Sequence, residues 1–121
     1  MPVPKVAETF LASQSLPAGN TVTGAAVDLR TKFGTVVHTK VTNGGTGPST
    51  PPEISIEVSN DNFVVDVHDV KKLYAGTGAN QVTEHEIRLV PEEMWARVKF
   101  KAGTGQASTV AAAGSSVVSL S

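Results

Sequence analysis

The chain of 121 residues contains no cysteine. That removes disulfide cross-links, thiolate nucleophiles and cysteine metal sites together, so the fold must hold without such links. Positive charge is not in excess either, since ten Lys and Arg stand against eleven Asp and Glu and leave a formal net charge of −1. Binding of nucleic acid through phosphates needs a surplus of Lys and Arg on one face, so DNA and RNA are not expected partners. Nowhere do about eighteen apolar residues follow one another, the length that a membrane-crossing helix needs. The opening "MPVPKVAETFLASQ" carries prolines and Glu8 where a secretory leader carries a continuous apolar run. No membrane partner and no export by the general secretory route are expected. Aromatic residues make up only 5% of the chain, too few for the rows of rings that grip single-stranded nucleic acid. Trp95 beside Arg97, Lys99 and Lys101 is the place where a ring and basic residues meet.

What the sequence does have is 40% hydrophobic residues, enough for the core of one small domain, and a repeated period of two. In "EISIEVS", Ile54, Ile56 and Val58 alternate with Ser55, Glu57 and Ser59, the pattern of a strand with one buried face. Ala25, Val27, Leu29 and Phe33 share a phase in "AAVDLRTKF", as do Phe63, Val65 and Val67 in "NFVVDVHDV". "MWARVKFK" places Met94, Ala96, Val98 and Phe100 on one side and Trp95, Arg97, Lys99 and Lys101 on the other. Further strands are predicted at Thr9 to Gln14, Thr35 to Thr42, Thr83 to Leu89 and from about Ala107 to Leu120. About eight short strands and almost no helix predict an all-β, single-domain antiparallel β-sandwich spanning 1–121, of Ig-like or jelly-roll topology. Its core is expected to hold Val27, Leu29, Ile54, Ile56, Val58, Val65, Val67, Val98 and Phe100.

Three glycine phrases, "NGGTG" at 43–47, "YAGTG" at 74–78 and "KAGTG" at 101–105, raise the question of a phosphate cradle. A dinucleotide fingerprint needs a third glycine ahead of a helix, and a P-loop needs Lys followed by Ser or Thr. Ala79, Asn80 and Gln81 follow one phrase and Gln106, Ala107 and Ser108 another, so all three read as turns and no cofactor is expected. Asp66, His68 and His85 offer carboxylate and imidazole groups to a metal ion, but no compact H-x-H or H-x-x-x-H spacing occurs. They read as solvated side chains first and as metal ligands only second. No G-x-S-x-G elbow is present, and the protein is not expected to be an enzyme. Trp95 is out of phase with the core residues of its strand. It either faces outward as an interface residue or plugs the end of the core.

The succession "LASQSLPAG", "AVDLRTKFG", "VTNGGTGPSTPP", "RVKFKAGTGQAST", running from Leu11 to about Val110, resembles small all-β proteins encoded among the structural genes of tailed bacteriophages. The resemblance implies a virion protein made in the host cytoplasm, most simply a capsid decoration subunit bound to the major capsid protein or another virion protein. A tail, neck or fibre component, or a carbohydrate- or receptor-binding module, is the alternative. A trimer or another small homo-oligomer is expected, with terminal arms at 1–8 and 114–121. Trp95, Arg97 and Lys99 on one face and Val117, Val118 and Leu120 in the tail are the expected interface residues.

Overall fold

A computed structural model describes residues 5–118. Nine strands follow one another: β1 (Lys5–Leu16), β2 (Thr21–Thr23), β3 (Val27–Asp28), β4 (Thr35–Asn43), β5 (Glu53–Ser59), β6 (His68–Tyr74), β7 (Val82–Leu89), β8 (Trp95–Lys101) and β9 (Ser108–Val117). They form two antiparallel sheets, one ordered β1-β9-β4-β7 and the other β2-β8-β5-β6, with β3 also pairing β8. The pairs β1 with β9, β2 and β3 with β8, β4 with β7, and β5 with β6 are nested inside one another. Nested antiparallel pairs describe one long ribbon, turned back between β5 and β6 and rolled until its halves lie in two sheets. This is a jelly roll, which decides between the two sandwich topologies that the sequence leaves open.

The alternation read from the sequence sets the core. Ile54 and Ile56 of β5 lie across from Phe100 and Val98 of β8, and all four are at most 1% exposed. Phe10, Val37, Val41 and Val110 close the space from the other sheet. β9 is rich in small residues because it runs between β1 and β4 beside the Phe10 ring. A Cβ at Gly114 would meet the Val36 carbonyl and the Phe10 ring, so bulk there would push the strands apart. The three glycine phrases gather at one end of the sandwich as turns. Asn43 Nδ2 donates to the carbonyls of Gly76 at 2.8 Å and Gly78 at 2.9 Å, and its Oδ1 accepts from the Ser108 hydroxyl at 2.9 Å. A Cβ at Gly47 would collide with the Thr77 carbonyl and one at Gly103 with the Thr50 carbonyl. The glycines let loops pass one another.

Three expectations are corrected. Only Val27–Asp28 of "AAVDLRTKF" is strand, with Leu29 buried and Phe33 45% exposed; the rest turns back towards β4. Val65 and Val67, expected in the core, are 87% and 43% exposed, because residues 60–67 form a turn and the strand begins only at His68. Residues 5–8 and 114–117 are not arms: Lys5 pairs with Val117 and Glu8 with Gly114, and β9 is an interior strand of its sheet. Val118 follows β9 and is 36% exposed, while Leu120 lies outside the described residues.

Candidate functional site: the outer face of the second sheet

Along β8 the alternation holds, so Trp95, Arg97, Lys99 and Lys101 leave the core and form a row on the outer face. Register sets their neighbours: Ser59 and Asp28 beside Trp95, Glu57 beside Arg97, Ser55 and Thr23 beside Lys99, Glu53 and Thr21 beside Lys101. The row divides into a closed half and an open half.

The closed half is held by stacked cations. Arg97 Nε donates to Glu57 Oε1 at 2.7 Å, and the Phe63 ring covers its guanidinium at 4.0 Å. Glu57 is thereby only 6% exposed although it points away from the core. Arg30 lies over the Trp95 ring at 4.7 Å and grips Asp28 through Nε at 3.0 Å and Nη2 at 2.9 Å. That grip lowers the Asp28 pKa to about 2. Trp95 is therefore an outer-face residue that is half covered by its own chain, not a plug in the core.

Phe63 reaches Arg97 because residues 60–67 are tied into a rigid turn. The Ser59 hydroxyl donates to Asp61 Oδ1 at 2.8 Å and accepts from the Phe63 N–H at 2.8 Å. The Asp61 carboxylate accepts the N–H groups of Val64, Val65 and Asp66 at 3.1, 3.0 and 3.2 Å. Asn62 and Phe63 both take left-handed backbone conformations, φ 56° and 62°, a costly choice for a phenylalanine that the surrounding hydrogen bonds must over-determine. The result is a tip on which Val64 and Val65 stand 78% and 87% exposed, next to Val67 and Val70 at 43% each.

Desolvation disfavours charge on Asp61, but hydrogen bonds from the Ser59 hydroxyl and from the N–H groups of Val65, Asp66 and Val64 outweigh it and hold the pKa below its ordinary value. A depressed carboxyl pKa stabilises the folded loop fully above the unfolded value of about 3.9 and loses that contribution as pH falls through the folded value. Protection factors at Val64, Val65 and Asp66, each referred to the intrinsic exchange rate at the same pH, are therefore expected to hold at pH 5 and to fall only on acidification below about pH 4. Loss of protection already at pH 5 would contradict this account of the turn.

Of the residues weighed for metal binding, the structure brings two together. His68 Nε2 lies 2.6 Å from Asp66 Oδ1, and Asp66 Oδ2 accepts the Asn60 N–H at 2.8 Å. His85 is on β7 in the other sheet, with Nε2 3.2 Å from the Tyr74 carbonyl at the far end of β6. Among the described residues no three His, Cys, Asp or Glu side chains converge.

The open half is a cavity of about 340 Å³ lined by Lys72, Lys99, Lys101, Glu53, Asp69, Ser55 and Thr21. Sequence reasoning found the β8 lysines by their phase but not the β5 and β6 residues facing them, since no local signal couples strands so far apart in the chain.

No model of a known protein family matches the chain, and no curated protein sequence does. Solved structures do. A chain of infectious bursal disease virus Gx strain superposes with a TM-score of 0.60 at 10% identity over 95% of this protein and 32% of that chain. The infectious bursal disease virus VP2 subviral particle gives 0.57 at 10% identity, covering 95% of this protein and 33% of its own chain. SPBc2 prophage-derived protein YomS gives 0.51 at 15% identity, with 96% of this protein and 95% of that chain covered. The likeness is one of fold. The protein spans about a third of the viral chains but nearly the whole of the prophage-derived one.

Proposed function

We propose that the protein is a non-enzymatic structural subunit of a phage particle, an accessory protein seated on the head surface and attached to the major shell protein through the tip of the 60–67 turn. The observation that carries this reading is the tip itself: two β-branched apolar side chains held in solvent by a network of hydrogen bonds around Ser59 and Asp61. A preorganised apolar projection loses little entropy when a partner covers it, and contiguous exposed apolar residues mark protein contacts. The jelly roll supports the same reading, since it is shared with chains of viral particles and with a prophage-derived protein of similar extent. Such a subunit is made in the host cytoplasm and resides in the virion.

The test is attachment measured beside stability. Replacing Val64 and Val65 together with Ser is expected to weaken attachment by about 3 kcal/mol, roughly a hundredfold, with the melting temperature unchanged, because both side chains are exposed in the free protein. Co-sedimentation of the variant with particles at wild-type occupancy would reject the tip as the contact. A wild-type chain that never co-sediments would reject the particle reading. Sedimentation of the free protein reads the oligomeric state in the same experiment, a trimer being expected.

A further inference from the structure

The open half of the outer face is chemically mixed. Ser55, 8% exposed, sits on its floor with Lys99 directly across on β8 and Lys72 directly across on β6. Lys101 lies opposite Glu53 in the register, yet Glu53 pairs with Lys72 instead, at 3.6 Å. Among the described residues Lys99, Lys101 and Asp69 form no ion pair. The cavity therefore presents two ammonium groups and one carboxylate that pair with no charged group among the described residues, above the largely buried Ser55 and beside Thr21.

Each simple ligand class leaves part of this set unmatched. Inorganic phosphate would suit the lysines but meet the negative charge of Asp69 and Glu53. A neutral sugar would give Asp69 its hydroxyl donors but leave two ammonium groups without an anion. An acidic peptide supplies carboxylates and backbone N–H donors, but spaces them along an extended chain instead of gathering them in one compact group. One compact group carries both complements: a sugar ring with a carboxylate for the lysines and hydroxyls that donate to Asp69 and accept from the amines. The cavity, about 340 Å³, is at the lower end of the size range of small-molecule sites. Tyr74, 54% exposed, stands opposite the lining residue Glu53 in the register and so shares the outer face of the sheet. The lining side chains stand on β2, β5, β6 and β8, so strand pairing fixes their spacing.

We infer that this cavity binds an acidic sugar residue, such as a uronic acid, within a polysaccharide chain. Binding to a soluble oligosaccharide requires no particle, so failure of this site and failure of the particle reading are separate results.

The experiment is calorimetric titration of the intact protein with oligogalacturonate, a neutral maltooligosaccharide, inorganic phosphate and polyglutamate, beside Lys99→Ala, Lys101→Ala and Asp69→Ala. Saturable binding of oligogalacturonate is expected, with the other three probes binding at least about tenfold more weakly. Each lysine variant is expected to lose about tenfold, and Asp69→Ala to lose affinity as well, with melting temperatures unchanged. The variant at Asp69 separates the alternatives, because removing a negative charge strengthens a plain anion site but weakens one that uses the carboxylate as an acceptor. Tighter binding in Asp69→Ala, equal affinity for phosphate or polyglutamate, or no binding of oligogalacturonate overturns the inference.

Discussion

Replacing Arg97 with Ala is expected to destabilise the protein by about 3–5 kcal/mol, although the residue lies on the outer face of a sheet. Its guanidinium is the ion-pair partner of Glu57, whose side chain is only 8% exposed, and Phe63 seals the pair from above. Truncation leaves a carboxylate buried without a counter-charge, which costs far more than an exposed pair contributes. The sign reverses when both partners go. Converting Arg97 and Glu57 together to Met removes the desolvated charges and keeps apolar volume, so the double variant should lie within about 1 kcal/mol of the parent or above it. Chemical denaturation of Arg97→Met, Glu57→Met and the double variant measures the coupling. Additive losses would mean that Glu57 is solvated and that the stack over Arg97 has no energetic role. Because Phe63 rests on Arg97, Arg97→Ala should also speed amide exchange in the 60–67 turn, whereas the double Met variant, which still offers the ring an apolar surface, should restore part of that protection.

Ile56→Ala should be of similar size for a different reason. Ile56 is 0% exposed, lies across from Val98 on β8 and Lys71 on β6, and sits in the cluster that also holds Ile54 and Phe100. Removing its side chain loses transfer free energy and leaves a cavity that a paired sheet cannot collapse to fill, so a loss of about 2–5 kcal/mol is expected, against about 1 kcal/mol for Ile56→Val. Domains of this size have roughly 5–15 kcal/mol in total, so the Ala variant should unfold at a much lower denaturant midpoint with an unchanged slope. A loss below about half a kcal/mol would remove Ile56 from the core.

These two residues also show where a sequence is legible. Ile56 was readable because its alternation with Ser55 and Glu57 is local and the pleat converts period two into a buried and an outer face. The same rule placed Trp95, Arg97, Lys99 and Lys101 on one outer row. It failed at Phe63, Val65 and Val67, which alternate equally well. There Ser59 and Asp61 take up the backbone N–H groups of residues 63–66 that a ladder would have used, a competition that a count of apolar positions does not see. At Gly114 to Val117 the predicted strand is present as part of β9, but the expected arm is not, because that stretch pairs with β1 on one side and β4 on the other. A Cβ at Gly114 would meet the Val36 carbonyl and the Phe10 ring.

By itself the sequence determined that the protein is all-β, that Ile54, Ile56, Val58, Val98 and Phe100 face inward, and that the glycine phrases are turns. Each of these rests on interactions within a few residues, so local spacing carries it. The jelly-roll order β1-β9-β4-β7 and β2-β8-β5-β6, the burial of Glu57 under Arg97 and Phe63, and the meeting of Asp69 with Lys99 and Lys101 in one cavity were decided only by tertiary structure. Strand pairing across such separations depends on which partner returns enough burial and hydrogen bonding to offset the entropy of closing a long loop, and that balance is a property of the whole chain.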